Sequence, residues 1–401
     1  MERKRSLMAR NIARRTRILR FNAVQEEERA IFYRFILHRV SSACVSRRMH
    51  WSKRRDQSFL ENIAGNWSDK EWKQNFRISR STFQFLCQQL KPYLQRQHVV
   101  RKPLTVEQRL AICLWRLGTN IEYRTISHLF GVGISTVCRV VHDVCGVIVQ
   151  HMAPMYIDIP TGEGLRNIVD GFFSKWGFPQ CIGAIDGSHI PIIAPKENPL
   201  DYYNRKGYHS TILQALVSHD YRFLDVYVGW PGSVHDARVL ANSRLYRKCE
   251  SEIFLPNWTR TLCGTPIPLV ILGDPAYPLK SWLLKPFSDT GLTRKERKFN
   301  YQLSRSRVVV ENAFGRLKGR WRSLMKRNDN DIKSVPTLVT ACCVLHNLCE
   351  IQGDTCEEEW IQRISNIERE EITHVSTSSA ATVSTTGQNI REALCDYFDT
   401  V

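Results

Sequence analysis

Long apolar runs are missing from this sequence. None reaches the roughly 18 residues that a membrane helix needs, although 43% of the 401 residues are hydrophobic. The 13 cysteines include no Cys-X-X-Cys pair, and their odd number does not suit a full set of disulfides. No secretory leader is recognisable. We therefore expect a protein with no membrane span and with reduced thiols, as is typical inside the cell.

Acidic residues are also scarce relative to basic ones. Thirty-nine Asp and Glu stand against 57 Lys and Arg, which gives a formal net charge of +18. Residues 354–401 hold ten acids and three basic residues, so the remainder of the chain carries about +25. A charge of this sign and size indicates a polyanionic partner, and we expect that partner to be DNA. The length allows two or three domains.

Residues 1–48 are predicted to be a basic N-terminal arm. The first twenty residues contain eight basic side chains and one acid. This composition is typical of a nuclear-import signal or of an arm that contacts phosphates, and a solvated tail has it too. Residues 27–44 add the apolar spacing of a helix. We expect the protein to be located in the nucleus, and the alternative is a cytoplasmic location before its import.

Residues 49–150 are predicted to form an all-α, DNA-binding region. Trp and Phe side chains recur at helical spacing in its first half, where Ser79 or Ser81 is placed to cap a helix. We expect that half to serve packing rather than chemistry.

Residues 103–150 have the pattern of a helix-turn-helix. A short helix ends near Phe130, a glycine-rich turn follows, and a second helix begins at Ser135. The second helix carries Ser135, Arg139 and His142 opposite an apolar face. In this motif the second helix enters the major groove, where Arg139 could bind guanine through two hydrogen bonds. An ordinary helical hairpin has the same pattern, and the positive charge favours DNA contact. The apolar face consists of Val137, Val140, Val141 and Val144.

Two apolar strands each appear to end in an aspartate. QCIGAIDGSHIPII runs up to Asp186 and a turn-forming glycine, and PLVILGDPAYP runs up to Asp274. A lone acid of this kind is usually a turn residue, but the repeated arrangement favours function. A third acid, Glu311, lies in the helical stretch RVVVENAFGRLKGRW. Two strand-end aspartates and a helical glutamate predict a divalent-metal site.

The order of elements predicts an α/β catalytic core at residues 181–350. A connecting helix at 151–180 leads into three strands, predicted to be antiparallel because their connections are short. A helix carrying Asp236 follows, capped by Ser233 or His235, and then the strand before Asp274 and the helix with Glu311. A basic insertion is predicted between that strand and helix, at Arg294, Lys295, Arg297 and Lys298. The order βββαβ…α is that of a ribonuclease H-like core, a mixed sheet flanked by helices, which brings these acids together.

Several blocks now carry a family resemblance. CIGAIDGSHIPI, YYNRKGYHS, GWPGSVHDARVL, LGDPAYPL and RVVVENAFGRLKGRW occur in the order seen in PIF/Harbinger transposases and their domesticated nucleases. The chain resembles that family over about residues 65–350. The resemblance implies that Asp186, Asp274 and Glu311 are the DDE triad and that Asp236 is a further metal ligand. It also implies cleavage at transposon ends, joining to short target sites, and a separate Myb-like DNA-binding partner.

The chemistry expected of such a site is phosphodiester cleavage with two Mg²⁺ or Mn²⁺ ions. Carboxylates are the ligands that these hard ions prefer, and a metal pair stabilises the extra negative charge of the reacting phosphate. Arg307 and Lys318 lie on the same helical face as Glu311 and could hold substrate phosphates. The alternative is an ordinary ion pair between Arg307 and Glu311, and the sequence favours neither interpretation. Three further DNA-contact candidates lie in the loop after the first strand: Lys196, Arg205 and Lys206.

Two groups of histidines offer other chemistry. His189, His209 and His235 flank the acids and could move protons, but local hydrogen bonding is the commoner role of loop histidines. Cys342, His346 and Cys349 have zinc-like spacing without a fourth ligand, and they lie in an apolar helix. We interpret them as buried core residues.

Residues 351–401 are predicted to be an acidic, partly disordered tail. The Ser/Thr-rich residues 374–388 have too little apolar surface to fold. After them, Ile390, Leu394 and Phe398 lie on one face of a short helix that is too short to be stable alone. We expect that helix to dock on a partner protein.

The sequence therefore predicts a metal-dependent DDE endonuclease or transposase. The alternatives are a domesticated DNA-binding protein without catalysis and a hydrolase that cuts but never joins. The sequence is also compatible with a homo-oligomer.

Overall fold

The computed structural model describes residues 58–96, 103–251, 255–288, 290–362 and 384–400. The predicted basic arm and the helix at 27–44 lie outside these ranges, as do residues 374–383 of the Ser/Thr-rich stretch.

The first part of the described chain is helical. Helix starts are fixed by capping side chains: Ser68 forms a capping box with Glu71, and Thr105 forms one with Gln108. Ser79, one of the two predicted cap residues, accepts a hydrogen bond from the Thr82 backbone N–H. A π-helical turn, Phe59–Ile63, and a 3₁₀ turn, Ala64–Asn66, precede the helices. These helices are α1 Asp69–Phe76, α2 Arg80–Leu94, α3 Val106–Thr119, α4 Tyr123–Leu129 and α5 Ile134–His151.

Helices α4 and α5 form the predicted helical hairpin, bent by 101°. The valine face of α5 is buried against α3 and against the late helix Val335–Ile351. Ser135 and Arg139 are exposed on its other side, and His142 is half-buried. Of the described helices, no single one is long and apolar enough to cross a membrane; α4 and α5 meet that criterion of length and composition only when combined.

A five-stranded mixed sheet has the order β3-β2-β1-β6-β7. β1, β2 and β3 are antiparallel, which confirms the predicted start, and β6 and β7 run parallel to β1 and to each other. A separate hairpin joins β4 and β5. The strands are β1 Cys181–Pro191, β2 Ser210–Val217, β3 Phe223–Pro231, β4 Arg260–Leu262, β5 Thr265–Ile267, β6 Val270–Leu272 and β7 Leu283–Leu284.

The prediction that β1 ends at Asp186 is wrong. The strand continues to Pro191, and Asp186 and Gly187 pair with Ala215 and Gln214 of β2. Glycine usually marks a turn, but here the antiparallel ladder with β2 supplies the hydrogen bonds that keep it extended.

Helices cover the sheet, and the longest of those described, α10 (Arg294–Arg320), packs against β1, β2 and β6. The predicted basic insertion at residues 294–298 is wrong, because Thr293 forms a capping box with Glu296 and these residues begin α10. His235, one of the two predicted cap residues, occupies the N-cap position of the helix Asp236–Ala241 but makes no side-chain cap hydrogen bond. The remaining helices are α6 Ala153–Tyr156, α7 Gly162–Trp176, α8 Asp236–Ala241, α9 Arg244–Glu250, α10 Arg294–Arg320 and α11 Val335–Ile351, with 3₁₀ turns Pro199–Tyr202 and Arg322–Leu324.

The C-terminal helix α12, Thr385–Thr400, packs on this protein's own core. The ring of Phe398 lies 5.3 Å from that of Phe178 and 6.2 Å from that of Phe299. The prediction that the helix docks on a partner is therefore wrong, because its apolar face completes the core beside α10. Residues 385–388, predicted to be disordered, belong to the helix as well. Buried apolar side chains run continuously from the first described helices to this one.

Candidate active site

Asp186 lies in the middle of β1, with its side chain 20% exposed. One carboxylate oxygen accepts a hydrogen bond from the Gly187 backbone N–H at 2.8 Å, and the other accepts one from Arg307 at 3.2 Å. Burial raises the pKa of Asp186 to about 7, against the opposing effect of Arg307, and the charges of Asp274 and Asp236 raise it further. A carboxylate with this pKa lies in a site that favours either a proton or a cation.

Asp274 follows β6 and lies beside Asp186 because of the parallel register. Ala184 pairs with Leu272, and each aspartate comes two residues after its member of that pair. The Asp274 carboxylate accepts a hydrogen bond from the Ala276 backbone N–H at 3.0 Å. Burial raises its pKa, although Arg307 acts in the other direction.

Asp236 is the first residue of α8 and reaches β1 at Gly187. A Cβ atom on residue 187 would lie only 2.3 Å from an Asp236 carboxylate oxygen. Glycine is therefore required for this close approach. Burial and then the charge of Asp274 raise the pKa of Asp236 to about 6.

Asp186, Asp236 and Asp274 form the aspartate cluster, which comes from three different elements. Tyr277 is fully buried next to it, and burial and then the three carboxylates raise the pKa of this tyrosine. The Tyr277 hydroxyl lies 3.4 Å from the side-chain oxygen of Gln214. Gln214 is the residue of β2 that pairs with Gly187. Sequence reasoning missed both residues; the block LGDPAYPL contains Tyr277, but an aromatic residue in such a stretch has no distinguishing signal.

Helix α10 contributes Arg307 to the cluster. Its side chain is 13% exposed and forms its ion pair with Asp186, so the alternative of an Arg307–Glu311 pair is wrong. Glu311 lies one helical turn further and is exposed, and Lys318 is buried two turns beyond it. Arg307 joins the aspartates, whereas a role for Glu311 in metal binding stays a prediction.

The aspartate cluster suits a hard divalent cation by its chemistry, because it offers carboxylate oxygens and no sulfur or imidazole. Within the described ranges, however, no three His, Cys, Asp or Glu side chains are close enough to hold a metal ion. One oxygen of Asp186 is engaged by Arg307. A cation bound by that oxygen would compete with the guanidinium.

Basic side chains lie near the C-terminal end of β1. Lys196, Arg205 and Lys206 are exposed on the β1–β2 loop, as predicted from the sequence. Burial lowers the pKa of His189 to about 4, and Lys206, Lys318 and Arg205 lower it further. Three of the predicted DNA contacts, one from α10 and two from the loop, are therefore close to His189.

His189, which lies in β1, and His209 and His235 make local contacts, as the alternative to proton transfer predicts. His189 bonds to the Ser210 hydroxyl at 3.0 Å, and His235 bonds to Arg205. The ring of His209 packs edge-on against Tyr203.

The Cys342, His346 and Cys349 stripe is buried in α11, as expected. His346 lies 2.9 Å from the Tyr221 carbonyl through Nε2, and burial lowers its pKa to about 3, so the imidazole is neutral. These residues belong to the core.

Lys285 is a further site residue that the sequence did not reveal. It follows β7, and its ammonium lies 3.4 Å from the carbonyl oxygen of Pro275, the residue after Asp274. A lysine after a two-residue strand gives no recognisable pattern.

A family comparison covers the part of the chain that holds the candidate active site. Residues 185–347, which include all four predicted acids, match the family described as DDE superfamily endonuclease. Residues 51–150 match a domain of unknown function. No solved structure matches.

Similar proteins come from plants, animals and bacteria. The chain is 30% identical to the protein Antagonist of like heterochromatin protein 1 of Arabidopsis thaliana over 73% of this chain and 76% of that protein. It is 29% identical to a Mus musculus protein named as a nuclease, HARBI1, over 68% of this chain and 75% of that one. A Microchaete diplosiphon protein named as a transposase for insertion sequence element IS702 is 23% identical over 62% and 83%. The chain belongs to the Harbinger transposase-derived family of DDE superfamily endonucleases.

Proposed function

We propose that the protein is a divalent-metal-dependent DNA endonuclease with a ribonuclease H-like core, which cuts phosphodiester bonds at transposon ends. The observation that carries the proposal is the aspartate cluster, three carboxylates from β1, α8 and the end of β6 whose pKa values are all raised. Like charges are held together in a partly buried site only at a cost, and a cation offsets that cost. Strand order and direction in the sheet support the ribonuclease H-like core.

Each residue has a distinct part in the proposed reaction. Asp186, Asp236 and Asp274 would hold the ions, and Glu311 would join them from α10. Two Mg²⁺ or Mn²⁺ ions, when bound, would polarise the phosphate and activate the attacking water. Arg307 neutralises Asp186 in the structure and would also be available to a substrate phosphate.

DNA is proposed to lie along the basic side chains next to the cluster. Arg205, Lys206 and Lys318 are close to His189 on the strand that carries Asp186, and Lys196 is exposed on the same loop. Contacts of this kind position the backbone without reading sequence. Base reading is assigned to α5.

The hairpin of α4 and α5 is the proposed helix-turn-helix. The angle of 101° between the two helices lies within the usual range of about 90–120° for this motif. The N-terminal residues of α5 are exposed to solvent. Ser135, Arg139 and His142 would face the groove. Arg139→Ala should reduce discrimination between sequences by about 1–3 kcal/mol if Arg139 binds a base. Equal affinity of the variant and the wild type for every duplex would remove DNA reading from this hairpin.

Strand joining, a Myb-like partner, a homo-oligomer and a nuclear location complete the proposal. Joining and the Myb-like partner follow from the resemblance, and the nuclear location follows from the basic N-terminal residues. The homo-oligomer is retained only as an option that the sequence leaves undecided. A DNA 3′-hydroxyl in place of water at the same site would convert cleavage into joining.

The test is cleavage of labelled duplexes by the purified protein. We expect products from end-containing DNA with Mg²⁺ or Mn²⁺ and none with a chelator, and fewer products from scrambled DNA. Equal cleavage with chelator would contradict the metal requirement. Joined products would separate a transposase from a hydrolase that only cuts.

The second candidate is a DNA-binding protein that keeps the fold without cutting. Glu311 is exposed and Asp186 is paired with Arg307, which favours this candidate. A relative named for antagonism of a heterochromatin protein is consistent with it. Tight DNA binding with no cleavage under any metal would support it.

A further inference from the structure

A pair of basic side chains, Lys285 and Arg391, lies beside the aspartate cluster. The Lys285 ammonium is 3.4 Å from the carbonyl of Pro275, which follows Asp274. An Arg391 guanidinium nitrogen is 3.4 Å from the carbonyl of Pro286, which follows Lys285. Neighbouring contacts thus connect Asp274 to Lys285 and then to Arg391. The C-terminal helix α12 therefore places the Arg391 guanidinium close to the candidate active site.

Packing fixes the place of Arg391. Its guanidinium carbon lies 3.8 Å from the centre of the Phe287 ring, and the apolar face of α12 is buried next to it. Lys285 is fixed by β7, whose Leu284 pairs with Leu272 of β6. Both side chains are half-buried, Lys285 directly after β7 and Arg391 on α12.

Among the described residues, Lys285 and Arg391 form no close ion pair, although Glu392 and Glu296 act on Arg391 and Asp274 acts on Lys285 at longer range. In the described part of the chain, neither side chain has a carboxylate within 4.0 Å, and the hydrogen bonds named above go to backbone carbonyls at long range. Burial lowers the pKa of Lys285 and the adjacent Arg391 lowers it further, whereas the charge of Asp274 acts in the other direction. Two like charges held together in a half-buried place cost free energy that an anion would recover.

We propose that Lys285 and Arg391 form a phosphate-binding pair that holds the DNA backbone next to the bond to be cut. The proposal rests on the proposed endonuclease function. Its ligand is a DNA phosphodiester, because the pair lies beside Asp274 and because arginine and lysine are the usual phosphate contacts. The family match ends at residue 347, so α12 would add a DNA contact from outside the matched region.

The test measures DNA affinity of the full-length protein against salt concentration, with chelator present. Each lost phosphate contact should reduce the slope of log affinity against log salt by about 0.9. Lys285→Gln and Arg391→Ala should each flatten the slope by about this amount, and Arg391→Lys should keep it. Lys295→Ala is the matched control, since that lysine lies on α10 but is paired with Asp396 on α12.

The outcomes separate the two proposals. Wild-type slopes for both Lys285→Gln and Arg391→Ala, in a protein that still cuts DNA, would overturn the phosphate pair alone. Loss of binding in both Arg391→Ala and Arg391→Lys, with a lowered melting temperature, would assign Arg391 to holding α12 and overturn the pair as well. A wild-type protein that neither binds nor cuts DNA would refute the proposed function itself.

Discussion

Gly187 decides how close Asp236 can come to the central strand. The sequence pattern presents this glycine as a turn, whereas in the structure it is an extended strand residue. The missing side chain leaves room for a carboxylate from α8, and so one position without a Cβ shapes the aspartate cluster. This is a close approach of elements distant in sequence, which local pattern does not reveal.

Gly187→Ala should displace Asp236, because the new Cβ would lie 2.3 Å from its carboxylate oxygen. Misplacement of a catalytic group by about 1 Å can cost about 100-fold in rate, so we expect a cleavage rate reduced by about 10- to 100-fold. Gly146→Ala is the control: no atom lies within 4 Å of its Cβ position on α5, and the change should stabilise the fold by about 0.5–1 kcal/mol. Unchanged cleavage by Gly187→Ala would show that Asp236 has no part in the reaction.

At the scale of elements, α12 is the main departure from expectation. Its apolar periodicity correctly predicted a helix that must dock. The choice between this protein and a partner depended on whether the core had an open face, and a one-dimensional pattern does not contain that information. Phe178 and Phe299 provide the face.

Phe398→Ala should lower the free energy of unfolding by about 3–5 kcal/mol, because the ring is buried and its loss leaves a cavity. Urea unfolding of the purified protein measures this change. Asp396→Ala, which removes only the exposed partner of Lys295, should have a much smaller effect. A similarly small effect of Phe398→Ala would mean that α12 is not part of the core.

Helix α11 should make the fold sensitive to acid through His346. The pKa of this buried imidazole is about 3 in the folded protein and 6.5 when unperturbed. As pH falls from 6.5 towards 3, the unfolded chain binds a proton that the folded chain does not, so stability falls with pH, by at most about 1.4 kcal/mol per pH unit.

His346→Gln should remove this contribution, whatever its effect on stability at neutral pH. Urea unfolding between pH 7 and pH 5 gives the slope of stability against pH, and the exposed His128→Gln should keep the wild-type slope. Equal slopes for wild type and His346→Gln would contradict the buried neutral state.

At the scale of the whole molecule, the order of the elements along the chain and the aspartates were predictable from the sequence, whereas the surroundings of the aspartates were not. Apolar periodicity located the strand that carries Asp186 and the strand that precedes Asp274. The family resemblance added Asp236. The ion pair of Asp186 with Arg307 and the position of Lys285 depend on how helices and strands pack, over sequence separations that periodicity does not sample. The exposed position of Glu311 is likewise a consequence of how α10 lies on the sheet.

The central claim is that the aspartate cluster performs metal-dependent DNA cleavage. The most direct measurement compares cleavage of end-containing DNA by Asp186→Asn, Asp274→Asn and Glu311→Gln with that by Asp225→Asn. Asp225 is the matched control, a half-buried aspartate of the same sheet. Burial raises its pKa to about 6, although Lys248 and Arg244 act in the other direction. We predict that the first three variants lose cleavage while keeping their fold and DNA binding, and that Asp225→Asn cuts at the wild-type rate. Cleavage near the wild-type rate by Asp186→Asn or Asp274→Asn would contradict the account.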